Sequence, residues 1–415
     1  MPKIVKRELL DKVARHLEQK EMTIILGPRQ VGKTVLLGQL QSWLQKTKKI
    51  SPELILYYNL DIIKDWEIVQ DQTKFIEFLK TRSIKQKIYV FIDEAQTVQN
   101  PGKFYKGIYD SNLNIKLVLT GSSALEFASQ IKESLAGRKR IFYLYPFSFA
   151  EFLSAKNKKL YQAHENELKD LFKEYIIWGG YPRVAISTTN DEKQSVLSDI
   201  YSSYIEKDII GFLKIKNKTK FNKLIKLLAG QIGQLINIDE LAANTELDRD
   251  TVYRYIKALE ETYIISILTP YFRNPRQEII KNPKVYFIDN GMRNYLLDDF
   301  KGTEIRQDRE SLFENSIFKE LFLLKQEQLF GLHFWRTRQG AEVDFVIERG
   351  QKLIPVEAKF DLKSAKSSSG LRSFVKKYKP ANGFIINLGL QEITKIEKPD
   401  IHFIQPYNLK KFMLY

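Results

Sequence analysis

The eight residues GPRQVGKT at positions 27 to 34 fit the pattern G-x-x-x-x-G-K-[ST]. In such a segment small residues let backbone N–H groups close around a phosphate, and the helix that follows turns the positive end of its dipole toward it. The context agrees. Met22 to Leu26 is a short apolar run suited to a buried strand, and Thr34 to Trp43 carries Leu36, Leu37 and Leu40 at helical spacing. Gly27 and Gly32 leave room for the backbone to approach a triphosphate, with Pro28, Arg29, Gln30, Val31 and Val35 completing the cradle. The ammonium of Lys33 suits the β- and γ-phosphates, and the hydroxyl of Thr34 suits Mg²⁺, a hard cation that takes oxygen ligands.

Sixty residues on, the apolar run Ile88 to Ile92 ends in Asp93-Glu94. An acidic pair at the tip of a buried strand can hold the magnesium through Asp93 and orient an attacking water through Glu94, which points to ATP hydrolysis beyond simple binding. A third apolar run, Ile115 to Leu119, leads into Thr120, Gly121, Ser122 and Ser123. These polar groups could sense the γ-phosphate; the other reading of Ser122 and Ser123 is a cap on the next helix. With Leu54 to Leu60 and Ile141 to Tyr145, five apolar runs alternate with helical stretches such as Lys64 to Lys80, the pattern of an α/β fold around a parallel sheet.

Further motifs follow in order: TGSSA at 120–124, LAGRKR at 135–140, YPFSFAEFL at 145–153, GGYP at 179–182 and NPKVYFIDNGMRNYL at 282–296. Together with GPRQVGKT and FIDEAQ, they make the chain resemble the AAA-type (additional-strand) P-loop ATPases that carry a winged-helix module and a C-terminal nuclease-like domain. The resemblance spans nearly the whole chain. It implies a core of strand order 5-1-4-3-2, a helical lid, and a winged helix ahead of the tail.

The chain has 415 residues, enough for about three domains, and no apolar stretch approaches the ~20 residues of a membrane span. Met1 to Lys20 reads as an amphipathic helix and not as a targeting peptide. Cysteine is absent, which excludes disulfides and thiolate metal sites and accords with a cytoplasmic location. A net charge of +16 favours a polyanionic partner, DNA first, although Lys-rich composition alone also accounts for it.

Downstream, Phe221 to Gly230, Ile238 to Asn244 and Arg249 to Glu260 read as helices, with a turn at 245–248 and Asp248 as an N-cap. Strands near 263–268 and 285–288 complete the order of a winged helix. Val252, Ile256 and Leu259 face inward and leave Arg249, Arg254 and Lys257 for DNA, or for a protein-docking lid. In the tail, Asp344 and Glu357 fall on neighbouring apolar strands joined by a hairpin turn at 348–351, and Lys359 shares the face of Glu357. This resembles a PD-(D/E)xK nuclease core, in which two carboxylates hold Mg²⁺ and the lysine activates water. Glu314, on a helical face with Ile317, Phe318 and Leu321, suggests a supporting ligand. The other reading is a structural ion pair between Asp344 and Lys359.

Arg138 and Arg140 are either arginine fingers for a neighbouring subunit in a homo-oligomer or surface cations. The expected boundaries are 1–145 for the ATPase core, 146–215 for the lid, 216–300 for the winged helix and 301–415 for the nuclease-like domain. Two functional readings remain open: an ATP-driven motor or remodeller of DNA, and a slow nucleotide switch whose tail docks proteins.

Overall fold

Strand β1 (Met22–Gly27) is buried at every position and belongs to a parallel sheet with β2 (Ile55–Asn59), β3 (Ile88–Asp93), β4 (Ile115–Ser122) and β5 (Lys139–Tyr143). The order across the sheet is β2-β3-β4-β1-β5, which is 5-1-4-3-2 read from the other edge. The computed structural model describes residues 4–84, 86–122, 125–160, 163–210, 215, 217–272, 282–390, 392–394 and 399–413. The chain divides into two compact units. The first is Met1–Tyr145 with Ile200–Lys214 and Glu261–Tyr263, and the second is Pro146–Asp199 with Ile215–Glu260 and Ile264–Tyr415.

In the first unit the sheet is flanked by α1 (Leu10–His16), α2 (Lys33–Lys46), α3 (Ile63–Val69), α4 (Gln72–Arg82), α5 (Pro101–Asp110) and α6 (Leu125–Ser134). Ile24, Leu26, Val90, Ile92 and Leu119 pack in one apolar core with Phe75, Leu79 and Ile108 from the helices. Continuous apolar strands are what a sheet covered on both faces requires. The helix expected over 64–80 is two helices, because the Asp71 carboxylate accepts from Lys74 N–H and starts α4 afresh. The amphipathic helix expected over residues 1–20 is confined to α1, since the backbone ahead of it is tied elsewhere, as described below.

The second unit begins with α7 (Phe149–Ala155), opened by a capping box between Ser148 and Glu151, then α8 (Glu165–Trp178), α9 (Pro182–Ile186) and α10 (Asn190–Ile200). A π-helical stretch, Tyr201–Ile210, belongs to the first unit. There follow α11 (Lys218–Gly230), α12 (Ile238–Thr245), α13 (Arg249–Glu261) and an antiparallel pair, β6 (Ile265–Leu268) with β7 (Lys284–Phe287). Asp248 caps α13 by accepting from Thr251 N–H at 2.8 Å, and Val252, Ile256 and Leu259 are buried.

After α14 (Asn290–Leu297) and α15 (Arg309–Glu327) comes a mixed sheet. Its strands are β8 (Gly331–Arg336), β9 (Glu342–Arg349), β10 (Lys352–Ala358), β11 (Asn382–Ile386), β12 (Glu392–Thr394) and β13 (Asp400–Ile404), in the order β12-β13-β11-β10-β9-β8. Helix α16 (Ser369–Tyr378) follows β10, and α17 (Leu409–Met413) ends the described chain. The β9–β10 hairpin closes tightly, with Arg349 paired to Lys352.

Candidate functional site: a phosphate loop and an acidic cluster

The loop between β1 and α2 needs both of its glycines. A Cβ on Gly27 would lie 2.1 Å from the Leu144 carbonyl oxygen, and Gly32 holds φ +91°, where L side chains are strained. Gly32 is the N-cap of α2, so the helix points its free N–H groups at the loop. Pro28 and Val31 are buried, Arg29 and Gln30 half-buried, and Gln30 also adopts a positive φ. Val35, on the first turn of α2, is exposed.

Lys33 is buried, and its ammonium turns back into the loop, donating to Gly27 O at 3.1 Å and Pro28 O at 3.0 Å. The Thr34 hydroxyl donates to Asp93 Oδ2 at 2.6 Å, which joins the loop to the tip of β3. Two hard oxygen donors side by side, beside an ammonium and a helix N-terminus, fit a magnesium–triphosphate. Glu94 follows in a left-handed conformation, and its carboxylate accepts from the Gln96 side chain.

Three side chains complete this site: two that sequence reasoning missed, and Thr120, which it named only among the polar residues after Leu119. Tyr57, on β2, donates to Asp93 Oδ2 at 3.2 Å, and burial together with the Asp93 charge raises its phenol well above the usual range. Thr120 donates to Asp93 Oδ1 and accepts from Glu94 N–H at 3.2 Å, so it fixes both acidic residues. Its place in TGSSA was the signal that grouped it with Ser122 and Ser123. Ser122 ends β4, paired with Gly27, and Ser123 lies outside the described residues. Arg7 is the third: its guanidinium donates to Val31 O and, at 2.6 Å, to Tyr145 O, strapping the segment ahead of α1 onto the loop.

Arg138 and Arg140 lie at the start of β5, level with Met22 and Thr23, at the end of the strands opposite the phosphate loop. Six strand residues separate the two ends by roughly 17–20 Å, so neither reaches the site of its own chain. Arg138 is held by Asp110 through contacts of 2.8 and 3.3 Å, and Arg140 stacks over Phe142.

On α13, Arg249, Tyr253, Arg254 and Lys257 are all exposed, and Arg249 pairs with Asp239 at 3.0 Å. Glu260 is folded back, accepting from Ile267 N–H at 3.2 Å, which takes that acidic side chain off the basic face.

In the tail, Asp344 on β9 and Glu357 on β10 are buried. Asp344 accepts from Ala358 N–H at 2.9 Å, and Glu357 Oε1 accepts from the Ser368 hydroxyl. Glu357 Oε2 is buried without a partner, and burial first, with Asp344 adding to it, pushes this carboxyl up to about 7. Burial alone would lower the ammonium of Lys359, but the charges of Asp344 and Glu357 outweigh it and hold the group above its usual range.

Glu314, offered as a supporting ligand by its helical face, meets donors of this chain. It is engaged by the Tyr286 hydroxyl at 2.6 Å and Lys284 Nζ at 3.2 Å, because that face of α15 turns toward β7. Among the described residues no three His, Asp or Glu side chains converge as a metal-holding set. The orphaned Oε2 of Glu357, which feels the Asp344 charge, is an oxygen donor still to be satisfied.

Residues 19–153 match the family model described as an AAA domain, 169–303 a domain of unknown function (DUF8612), and 309–408 a domain of unknown function (DUF4143). An uncharacterized protein of Haemophilus influenzae is 27% identical over 368 residues, covering 86% of this chain and 87% of its own length. Another, from Methanocaldococcus jannaschii, is 27% identical over 426 residues, covering 98% of this chain and 90% of its own. Among solved structures, the Aeropyrum pernix ORC1 protein in complex with DNA is similar at 12% identity with a TM-score of 0.30, over 72% of this chain and 94% of that one. No helix among the described residues is long and apolar enough to cross a membrane. The chain thus carries an AAA-type P-loop ATPase domain followed by a C-terminal DUF4143 domain.

Proposed function

We propose that this chain is a magnesium-dependent ATPase of the AAA type that works on DNA as a homo-oligomer in the cytoplasm. In this reading residues 1–145 are the ATPase core, 146–215 a helical lid, 216–300 a winged helix and 301–415 a nuclease-like domain. The observation that carries it is the Thr34 hydroxyl set 2.6 Å from Asp93, beside the buried Lys33 ammonium.

Thr34 and Asp93 would hold Mg²⁺, which when bound neutralises charge on the phosphate oxygens. Lys33 leaves the carbonyls of Gly27 and Pro28 to bind the β- and γ-phosphates. Glu94 orients the attacking water and receives its proton at a carboxylate oxygen. Thr120 keeps Asp93 and Glu94 in register, and Ser122 serves to sense the γ-phosphate. Arg138 and Arg140 serve a neighbouring subunit, Arg138 after release from Asp110. The net charge of +16 and the exposed Arg254 and Lys257 on α13 support DNA as the partner.

ATP turnover measured with and without duplex DNA tests this. DNA should accelerate hydrolysis, and Lys33→Ala should reduce it by roughly 100-fold or more. Turnover indifferent to every DNA offered would instead support a slow switch that docks proteins. A second activity, metal-dependent nicking of DNA, is favoured by the orphaned Glu357 oxygen next to Asp344 and Lys359. Nicking should vanish in both Asp344→Ala and Lys359→Ala; a residue of activity in either would trace to a contaminant.

A further inference from the structure

Lys284 enters the tail's acidic cluster from outside the tail sheet. It starts β7, the second strand of the antiparallel pair that follows α13. Its side chain is 2% exposed, its ammonium is 3.2 Å from Glu314 Oε1 and 2.5 Å from Glu342 Oε1, and the Phe334 ring lies 5.4 Å below it. Burial would lower this ammonium, but Glu314, Asp344 and Glu342 outweigh it and keep it charged above the usual lysine range. Tyr286, two residues on along β7, donates to the same Glu314 oxygen. Glu342 is further held by Arg336 at 3.1 Å. The Glu314 and Glu342 carboxylates are thus occupied by fixed donors of this chain.

The Asp344–Glu357 side differs. Glu357 is 2% exposed, and its Oε2 has no partner among the described residues, although Ser368 satisfies Oε1. A buried carboxylate oxygen without a donor is the kind of group a cation satisfies.

We infer that Lys284 is a built-in cation that stands where a second divalent ion would sit, so that the tail takes a single divalent cation, held by Asp344 and Glu357. Without Lys284 between them, Glu314 and Glu342 would be two further carboxylates near the Asp344 charge and could draw a second ion about 3.5–4 Å from the first. A fixed ammonium meets part of that demand without a metal. The inference rests on the nuclease-like reading of the tail and narrows it to a one-ion site.

Counting bound Mn²⁺ on the full-length, nucleotide-free protein by the electron paramagnetic resonance of the free ion tests it without reference to cleavage. Only ions lost in Asp344→Asn count, so any ion at the phosphate loop cancels. One such ion per chain is expected, and it should also be lost in Glu357→Gln. Two ions would overturn the inference and leave the nuclease-like reading standing. No ion would remove that reading, and the inference with it. Lys284→Gln keeps the reach of the side chain without its charge and should admit a second Mn²⁺. A folded Lys284→Gln protein that still binds one ion would show that Lys284 is not what excludes the other. Should that variant fail to fold, the wild-type count decides.

Discussion

His16 shows how a single side chain makes the ATPase unit sensitive to pH. It closes α1 and is buried, with Nδ1 2.8 Å from the Thr23 hydroxyl on β1. Burial first, then the charges of Lys116 and Arg140, lower its pKa to about 4, against a small opposing pull from Glu21. Below about 6.5 the unfolded chain binds a proton that the folded chain refuses, so stability falls as the pH drops from there and the loss is complete near 4. By pH 5 the expected loss is on the order of 2 kcal/mol. Denaturant midpoints at pH 7.5 and pH 5 should show this fall in the wild type and a flatter profile in His16→Gln, which retains a polar contact to Thr23. Parallel profiles would refute the assignment. The sequence marks such a residue poorly, because its effect depends on which strands lie beside it. The same holds for Tyr57, which reaches Asp93 only because β2 pairs with β3. Lys33, Thr34 and Asp93 were legible because the chemistry of a phosphate loop is written in consecutive residues.

Elements were legible where the local signal and the tertiary demand agree. Helix α13 starts where Asp248 caps it and buries the positions its spacing marks. The segment ahead of α1 had helical spacing as well, yet Arg7 is spent on the Val31 and Tyr145 carbonyls, and Gln39 engages the backbone of Val5 and Arg7. Tertiary hydrogen bonds there override the local preference. The partner of Glu314 was not legible for a related reason: Lys284 lies 30 residues earlier, on a strand no short pattern links to it. For α13 the exposed basic face makes a specific claim. If Arg254 and Lys257 each neutralise one phosphate, Arg254→Ala/Lys257→Ala should reduce the slope of log affinity against log salt by about 2, from counterion release of ~0.9 per contact. DNA titrations of the full chain at several salt concentrations measure this. An unchanged slope would move the DNA surface off α13.

At the scale of the whole molecule, the ATPase unit is not a single stretch of chain, although residues 1–145 contain all five strands of its sheet. The unit also takes in Ile200–Lys214 and Glu261–Tyr263. Tyr263 places its ring 5.5 Å from both Tyr143 and Tyr145, and Tyr204 donates to the Thr262 carbonyl, so the later segments cover the end of β5. Tyr145 in turn offers its carbonyl to Arg7, whose other hydrogen bond supports the phosphate loop at Val31. Aromatic contacts of this kind add roughly 0.5–1.5 kcal/mol each beyond the area they bury. Cutting after Tyr145 therefore removes support from the end of β5 that Arg7 couples to the nucleotide site. A fragment of residues 1–145 should bind ATP at least ~10-fold more weakly than the full chain, the equivalent of about 1.4 kcal/mol, and should expose apolar surface to a hydrophobic dye. A fragment of residues 1–263 retains every segment of the unit and should recover most of the affinity. Calorimetric titration of both fragments with ATP decides the matter: full affinity in 1–145 would mean that the later segments merely cover the sheet and do not brace the loop.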